Sequence, residues 1–298
     1  TIDYEDNRRR FIADNTALMD SSYIVDDNGL RFPRIYGLGA TLNDQTSSWN
    51  LKNTIGLSLR EGFQDWVKFG LTAFVRLEKR RFKLEPRIEG LDYGEYGRGP
   101  YFSVDNIDLK NLPTAKLYDE FSTYVGAELS KRQGSILTYN ARGELCMVGS
   151  DVGEFRVTGD LQTRFKLFNK DAVIKADAYI KNVTPAFYMR HNHSSYYWWD
   201  NPNFNMTQQI YAGGEVYLES SKTTLKAGVQ SIQNYIYFNK QGFPVQHGSN
   251  LQVVSARIKQ AFRVSAFGWE NEACWQVSSD ASVLPLPSLS AYSNMYLA

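Results

Sequence analysis

Apolar and polar residues alternate along three consecutive segments between Leu137 and Ile180, and only short turns separate these segments. Successive side chains of a β-strand point to opposite faces, so each segment has one apolar face and one charged face. Strands of soluble sandwiches show the same period but usually span only about 3–10 residues. The greater length here predicts a transmembrane antiparallel up-and-down β-barrel, all-β, with apolar side chains toward lipid and charged side chains toward the lumen.

The composition is compatible with such a barrel. The 33 basic and 32 acidic residues give a formal net charge of +1, so no overall positive field points to nucleic acid. No stretch approaches the ~20 apolar residues of a membrane helix. Mean hydropathy is -0.42, which a barrel tolerates because half of each strand faces a wet lumen. Aromatic residues make up 14% of the chain, as expected for girdles at the membrane interfaces.

The alternation recurs in roughly 12–13 segments along the chain. They are predicted at 34–43, 47–61, 65–83, 119–131, 135–149, 152–168, 171–189, 206–219, 223–238, 249–259, 262–278 and 287–298. Short turns near 62–64, 131–134, 169–170, 220–222 and 259–261 alternate with longer links at 84–118, 190–205, 239–248 and 279–286. Bacterial barrels alternate short periplasmic turns with longer external loops in this way.

The domain boundaries follow from the same pattern. Residues 1–33 form a polar N-terminal segment with room for an early strand near Tyr23, and the barrel is predicted at 34–298. The pattern stops within a strand at Ala298, so we expect a barrel truncated at the C-terminus.

The inward-facing rows are the first candidate site. We expect them to form a hydrophilic pathway whose charges tune selectivity, with at most a weak preference for anions because basic residues outnumber acidic ones. The alternative is that these residues pair with one another and fill a plugged barrel. The predicted lumen-lining residues are Arg60, Lys68, Arg76, Glu78, Arg142, Glu144, Arg156, Asp160, Arg164, Lys166, Lys175, Asp177, Lys181, Glu215, Lys226 and Arg257.

An aromatic loop is predicted to lie outside the cell. Its rings could stack on sugars or on a partner protein, but a girdle at headgroup depth is the favoured interpretation. This loop contains Tyr196, Tyr197, Trp198, Trp199 and Phe204.

The residues with metal-binding or catalytic chemistry are few. His191 and His193 would share one face of an extended segment, but Asp200 is the only acidic or thiol ligand nearby, so we expect no metal. The distant Cys146 and Cys274 are expected to be inert thiols. A Ser–His pair at the rim, such as Ser194 with His193, keeps an outer-membrane enzyme open only as a distant third function.

Several stretches resemble a known family. Residues 192–204 (NHSSYYWWDNPNF), 234–238 (NYIYF) followed by 244–246 (PVQ), and 283–287 (VLPLP) are similar to motifs of the β-barrel porins of Bacteroidetes outer membranes. In the first half, residues 4–10 (YEDNRRR) support the likeness more loosely. The resemblance implies a barrel in the bacterial outer membrane and leaves the transported solute unassigned. Family members continue for several strands beyond the position of Ala298.

Together these features predict an outer-membrane porin that allows passive diffusion of small hydrophilic solutes, without catalysis, metal or cofactor. Its partner is the lipid bilayer, and nucleic acid is not expected. The alternative is an accessory barrel with a filled lumen inside a larger outer-membrane assembly. In that case other outer-membrane proteins would dock on an outward face of small residues, such as Ala212 and Gly214 beside Ala227.

Overall fold

One antiparallel sheet of 12 strands dominates the protein. The computed structural model describes residues 1–13, 23–25, 31–33, 42–64, 67–84, 116–133, 136–167, 169–193 and 198–297. The strands of the large sheet are β1 (Ile2–Ala13), β4 (Leu42–Leu59), β5 (Gly70–Leu84), β6 (Lys116–Lys131), β7 (Leu137–Gly149), β8 (Phe155–Leu167), β9 (Lys170–Val183), β12 (Thr207–Leu218), β13 (Thr223–Gln233), β16 (Leu251–Val264), β17 (Phe267–Ser278) and β18 (Leu289–Leu297). Their order in the sheet follows their order in the chain, which is an up-and-down arrangement.

Smaller elements lie in the links between these strands. Three two-stranded hairpins pair β2 (Tyr23–Val25) with β3 (Arg31–Pro33), β10 (His191–His193) with β11 (Trp198–Asp200), and β14 (Ile236–Phe238) with β15 (Pro244–Gln246). A single turn of helix, α1 (Phe187–Arg190), precedes β10. Within the described ranges, no helix has the length and apolarity needed to cross a membrane.

The two faces of the sheet differ in chemistry as the sequence predicts. On the outer face, apolar side chains such as Ile55 and Leu57 remain 75% and 82% exposed. On the inner face, Glu78, Tyr124 and Glu144 are buried. A soluble protein would have the opposite arrangement, because a large exposed apolar surface is unfavourable in water. The sheet therefore has the polarity of a barrel wall whose outer face lies in lipid.

Tight turns join the strands at one end of the sheet, which we call the turn end. Asn169, Lys222 and Ser265 adopt positive φ angles of 63°, 51° and 53° in the links β8–β9, β12–β13 and β16–β17. Short hairpin turns favour positive φ because their twist then matches that of the flanking strands. The strand ends joined by the longer links, such as the end of β5 and the start of β6, lie at the opposite end of the sheet, which we call the loop end.

A β-bulge shapes the loop end of β7. The register with β6 shifts between Thr123 and Tyr124, so that β7 contributes one extra residue. Gly149 follows with a φ of 113°, and a Cβ there would lie 1.9 Å from the Phe121 carbonyl oxygen. Only glycine fits this close approach. The bulge leads directly into the link 150–154, in which Asp151 and Glu154 are buried.

The N-terminal part of the sheet differs from the sequence prediction. Ile2–Ala13 pairs along its whole length with β4, although this stretch reads as a polar segment. Its outward row includes Asp6, Arg8 and Arg10, so the apolar signal of a lipid-facing strand is missing. The early strand near Tyr23 is β2, which lies outside the large sheet. The strand predicted at 34–43 lies outside the described residues except for 42–43, which belong to β4.

Candidate functional site: the charged inner face

Inward-facing charges on β5, β7 and β8 form a paired network. Arg76 Nη1 lies 3.1 Å from Glu144 Oε2, and Arg76 Nε lies 3.8 Å from Glu78 Oε2. Arg142 Nη2 contacts the same Glu144 oxygen at 3.3 Å, and Arg156 Nε lies 4.0 Å from Glu144 Oε1. Buried carboxylates need such partners because an unpaired buried charge is strongly destabilising. The structure thus brings together five of the residues predicted to line the lumen.

A second cluster, which the sequence analysis missed, surrounds Asp151 near the loop end. Asp151 is fully buried, and its Oδ2 accepts hydrogen bonds from Ser122 Oγ (2.8 Å), Tyr124 Oη (2.9 Å) and Arg80 Nη2. Arg80 Nη2 also lies 3.0 Å from Glu120 Oε2. Arg80 continues the inward row of Arg76 and Glu78, so the period-2 pattern could have identified it. Asp151 lies in a link, where no period predicts which way a side chain points.

Glu154 shares the hydroxyl of Tyr124 with Asp151. The Tyr124 oxygen lies 2.9 Å from Asp151 Oδ2 and 2.9 Å from Glu154 Oε2, yet a hydroxyl has only one hydrogen to donate. Arg80 pairs with Asp151, whereas no cation lies within ion-pair distance of Glu154 among the described residues. Burial raises the pKa of the Glu154 carboxyl, and the negative charge of Asp151 raises it further. Glu154 therefore takes up a proton at a higher pH than an ordinary carboxyl, and a proton there would satisfy the second short contact with Tyr124.

Residues 184–193 leave β9 and cross the inner face; we call them the crossing segment. Thr184 N donates to Glu154 Oε1 at 2.6 Å, which fixes the start of the segment. Arg190 Nη2 lies 2.7 Å from Glu120 Oε1 on β6. The Phe187 ring stacks on Phe82 of β5 with centroids 3.7 Å apart. β6 and β5 lie three and four places from β9 in the sheet, so the segment spans several strands.

The crossing segment also shows that the sheet is curved. The Arg9 guanidinium on β1 lies 5.5 Å from the centroid of the Tyr188 ring. β1 and β9 are six places apart in the sheet order, a separation of about 29 Å in a flat sheet at about 4.8 Å per strand. The contact of one short segment with both strands fits a sheet that curls toward it.

The hairpin β10–β11 continues the crossing segment and brings both predicted histidines onto one carboxylate. His191 Nδ1 lies 2.6 Å and His193 Nε2 3.1 Å from Asp200 Oδ1. Burial alone would raise the pKa of Asp200, but hydrogen bonds and positive charge from the two imidazoles outweigh it and hold that pKa below its usual range. Among the described residues, no group of three or more His, Cys, Asp or Glu side chains is arranged to hold a metal ion.

The remaining predicted lumen residues form a more exposed wall on β8 to β17. Three ion pairs lie there: Lys175–Glu215 at 2.9 Å, Lys226–Asp177 at 3.9 Å and Arg257–Glu272 at 3.2 Å. No ion partner within the described ranges accompanies Asp160, Arg164, Lys166 or Lys181. Arg60 and Lys68 lie in the link between β4 and β5 at the turn end, not on the strands where they were predicted.

The aromatic loop is only partly described. Tyr196 and Tyr197 lie outside the described residues, and Trp198 belongs to β11. Trp199 Nε1 donates to the Tyr188 carbonyl oxygen at 3.1 Å, and its ring meets Phe238 edge-on at 6.1 Å between centroids. Trp199 therefore packs between loops. Phe204 is half-buried in the link that leads to β12.

Comparison with known proteins agrees with the barrel. A family model described as "Putative porin" matches residues 1–298. The chain belongs to this porin family. Similar solved structures include the copper transporter OprC, with a TM-score of 0.60, 12% identity, and coverage of 99% of this chain and 46% of that chain. Another is the ferric enterobactin receptor PfeA, with a TM-score of 0.55, 14% identity, and coverage of 99% and 44%.

At such low identity the likeness to these structures concerns the fold alone, and the chain spans less than half of their length. No curated protein matches the sequence. Membership of the porin family, together with the outward apolar face, places the chain in the bacterial outer membrane. The outer face is therefore the lipid face, and the inner face is the lumen.

Proposed function

We propose that this porin-family barrel lets small hydrophilic solutes diffuse passively across the outer membrane. The observation that carries the proposal is the charged wall on β8 to β17. The side chains of Lys175, Asp177, Lys226 and Arg257 remain between 40% and 49% exposed on the lumen face. On β5 and β7, by contrast, ion pairs bury the side chains of Glu78 and Glu144.

In this proposal the crossing segment narrows the pathway near the loop end. Phe187 and Arg190 anchor it on β5 and β6, so solutes would pass along the exposed wall facing it. The charges of that wall would set ion preference, as rings of charged side chains do in channels. The concentration gradient alone would drive transport.

The proposal includes no covalent chemistry and no cofactor. A rim hydrolase would use His193 as its base; His193 Nε2 contacts Asp200, and Ser194 lies outside the described residues. Esterase turnover that disappears in His193→Ala would contradict this part of the proposal.

Planar-bilayer recording of the purified full-length protein tests the proposed function. We expect stable conductance steps, and liposome-swelling rates that fall as the test sugar becomes larger. A heat-unfolded sample provides the control. A folded barrel that stays electrically silent and excludes every sugar would overturn the proposal.

A shallow groove on the lipid face favours the second candidate, an accessory subunit of a larger assembly. It has a volume of about 460 Å³ and lies where the small residues Gly214, Ala227, Ala256 and Ala273 come together beside Trp275. Small residues let another surface approach the backbone closely. This candidate would be favoured over the pore by two results together. The barrel would not conduct, and its chemical cross-links to other outer-membrane proteins would be lost in Ala227→Trp.

A further inference from the structure

Basic side chains cluster on the lipid face at the loop ends of β1 and β5; we call this cluster the basic patch. Its members are Arg8, Arg10, Lys79, Arg81 and Lys83. The strand registers place them in one area: Ser47 of β4 pairs with both Arg8 and Lys83. Trp49, two residues further along β4, pairs with Arg81, and Leu51 pairs with Lys79.

The basic patch is exceptional on this face of the sheet. On the described strands from β7 to β18, the lipid-facing rows carry only one charged side chain, Lys170, which lies beside the turn between β8 and β9. At the loop end of those strands the corresponding positions are uncharged, as at Asn182, Gln208, Ser231 and Gln252. A general need for solubility at the rim would spread cations around the whole sheet. The concentration on the two strands that flank β4 points to a ligand at this place.

The height of the basic patch matches the headgroups of the external leaflet. Directly toward the turn end, the same rows become apolar with Ile55, Val75 and Leu77, which are exposed to lipid. Trp49 and Tyr4 lie between the apolar band and the outermost cations, as interfacial aromatic rings do. The loop end carries the long links, which are external in bacterial barrels. The cations therefore lie where lipid phosphates would be found.

The patch carries excess positive charge. Arg8 lies 3.3 Å from Asp6, and Arg81 lies 2.7 Å from Asp119. Lys83 makes no ion pair among the described residues, and Lys79 adds its charge to that of Arg81 near Asp119, so the five basic side chains outnumber Asp6 and Asp119. Alternate residues on a strand are about 7 Å apart, so these two amines are spaced along β5 on either side of Arg81. A groove of about 590 Å³ lined by Arg8, Trp49, Arg81 and Lys83 gives a bound headgroup room.

We propose that the basic patch binds the phosphate groups of a glycolipid headgroup in the external leaflet of the outer membrane. Lysine and arginine clusters beside a membrane attract anionic headgroups. The acyl chains would lie along the apolar band below, and Trp49 would face the sugar. This site faces lipid and is independent of what the lumen conducts.

The test uses the full-length protein in detergent micelles and fluorescent diphosphorylated lipid A as the probe. The test variant Arg8→Gln/Lys79→Gln/Lys83→Gln keeps the Arg81–Asp119 pair. The control variant Lys131→Gln/Lys170→Gln/Lys222→Gln removes the same charge at the turn end. We expect the test variant to bind lipid A at least about tenfold more weakly, because each basic residue adds to headgroup affinity. The control variant should bind within about twofold of the wild type.

Three further measurements decide the outcome without depending on how the variants fold. Wild-type affinity should fall as sodium chloride is raised from 50 to 500 mM. Dephosphorylated lipid A should bind at least about tenfold more weakly than the diphosphorylated form. Equal binding of these two lipids, or equal loss in the test and control variants, would overturn the proposal. Displacement of lipid A by millimolar inorganic phosphate would identify a free-anion site and would also overturn it.

Discussion

At the scale of single residues, Gly126 shows how tightly the inner wall is packed. The Phe74 ring lies over this glycine, and the Arg142 guanidinium lies 4.3 Å from the centroid of that ring. A Cβ at Gly126 would come within 2.3 Å of Phe74 Cζ and 2.7 Å of the Gly143 carbonyl oxygen. We expect Gly126→Ala to lower the free energy of unfolding by about 1–3 kcal/mol, the usual effect of overpacking.

Urea unfolding in lipid vesicles measures this effect. Gly159→Ala is the matched control, because its nearest neighbour would be 3.9 Å away, at the Asn140 carbonyl oxygen. The free energy of unfolding of this control variant should stay within about 0.5 kcal/mol of the wild-type value. Equal unfolding midpoints for the two variants would show that the Phe74 ring can move away from the new methyl group without destabilising the protein.

The raised pKa of Glu154 makes the anchoring of the crossing segment dependent on pH. The pKa of Glu154 is raised in the folded segment, so its contribution to stability is fully present below the ordinary carboxyl pKa. This contribution is lost as the pH rises through the raised pKa, since an ionised Glu154 would repel Asp151. We expect hydrogen exchange at the Thr184 amide to accelerate with pH beyond its intrinsic rate. Glu154→Gln should remove this additional acceleration of exchange, because the glutamine amide can donate a hydrogen bond to the Tyr124 oxygen at any pH.

Glu219→Gln is the control, because this carboxylate also accepts a backbone hydrogen bond, from Asp171 N at 3.0 Å, at the opposite end of the sheet. It should leave the pH dependence at Thr184 unchanged. The same excess exchange in Glu154→Gln as in the wild type would rule out a shared proton.

At the scale of elements, we propose that the crossing segment sets the width of the lumen near the loop end. Phe187→Ala/Arg190→Gln removes both its stacking on Phe82 and its charge pair with Glu120. Since the segment would no longer be held against β5 and β6, we expect larger conductance steps in planar bilayers and faster uptake of large sugars. The lipid-facing Phe165→Ala should change neither. An unchanged conductance in the double variant would mean that the segment does not narrow the pathway.

The elements that the sequence predicted are those with a lipid-facing period. The sequence pattern predicts β7, β8 and β9 because a strand that faces lipid has an apolar residue at every second position. β1 was missed because its outward row carries Asp6, Arg8 and Arg10 in place of apolar residues. The crossing segment has no repeat, and its place depends on contacts with strands far away in sequence, such as Arg190 with Glu120. The inward rows predicted side chains that share the inner face, apart from Arg60 and Lys68, but not how those side chains pair, which depends on side-chain geometry.

At the scale of the whole molecule, a formal net charge of +1 conceals an uneven distribution of charge. The wall on β4 to β7 pairs its charges internally, so it contributes little to the field in the lumen. On β8 and β9, Arg164, Lys166 and Lys181 have no ion partner among the described residues, and Asp160 is the only acid among the predicted lumen residues without an ion partner in the described ranges. An excess of fixed positive charge favours anions.

We therefore expect a modest preference for chloride over potassium, measured as the reversal potential across a potassium chloride gradient. Arg164→Gln/Lys166→Gln/Lys181→Gln should remove most of it. The basic-patch variant Arg8→Gln/Lys79→Gln/Lys83→Gln also removes three positive charges, but from the lipid face, so its reversal potential should match the wild type. Screening shortens the reach of the fixed charges, and the preference should therefore be stronger at 0.1 M than at 1 M salt. A cation preference in the wild-type protein would show that Asp160 and the paired acids dominate the field in the lumen.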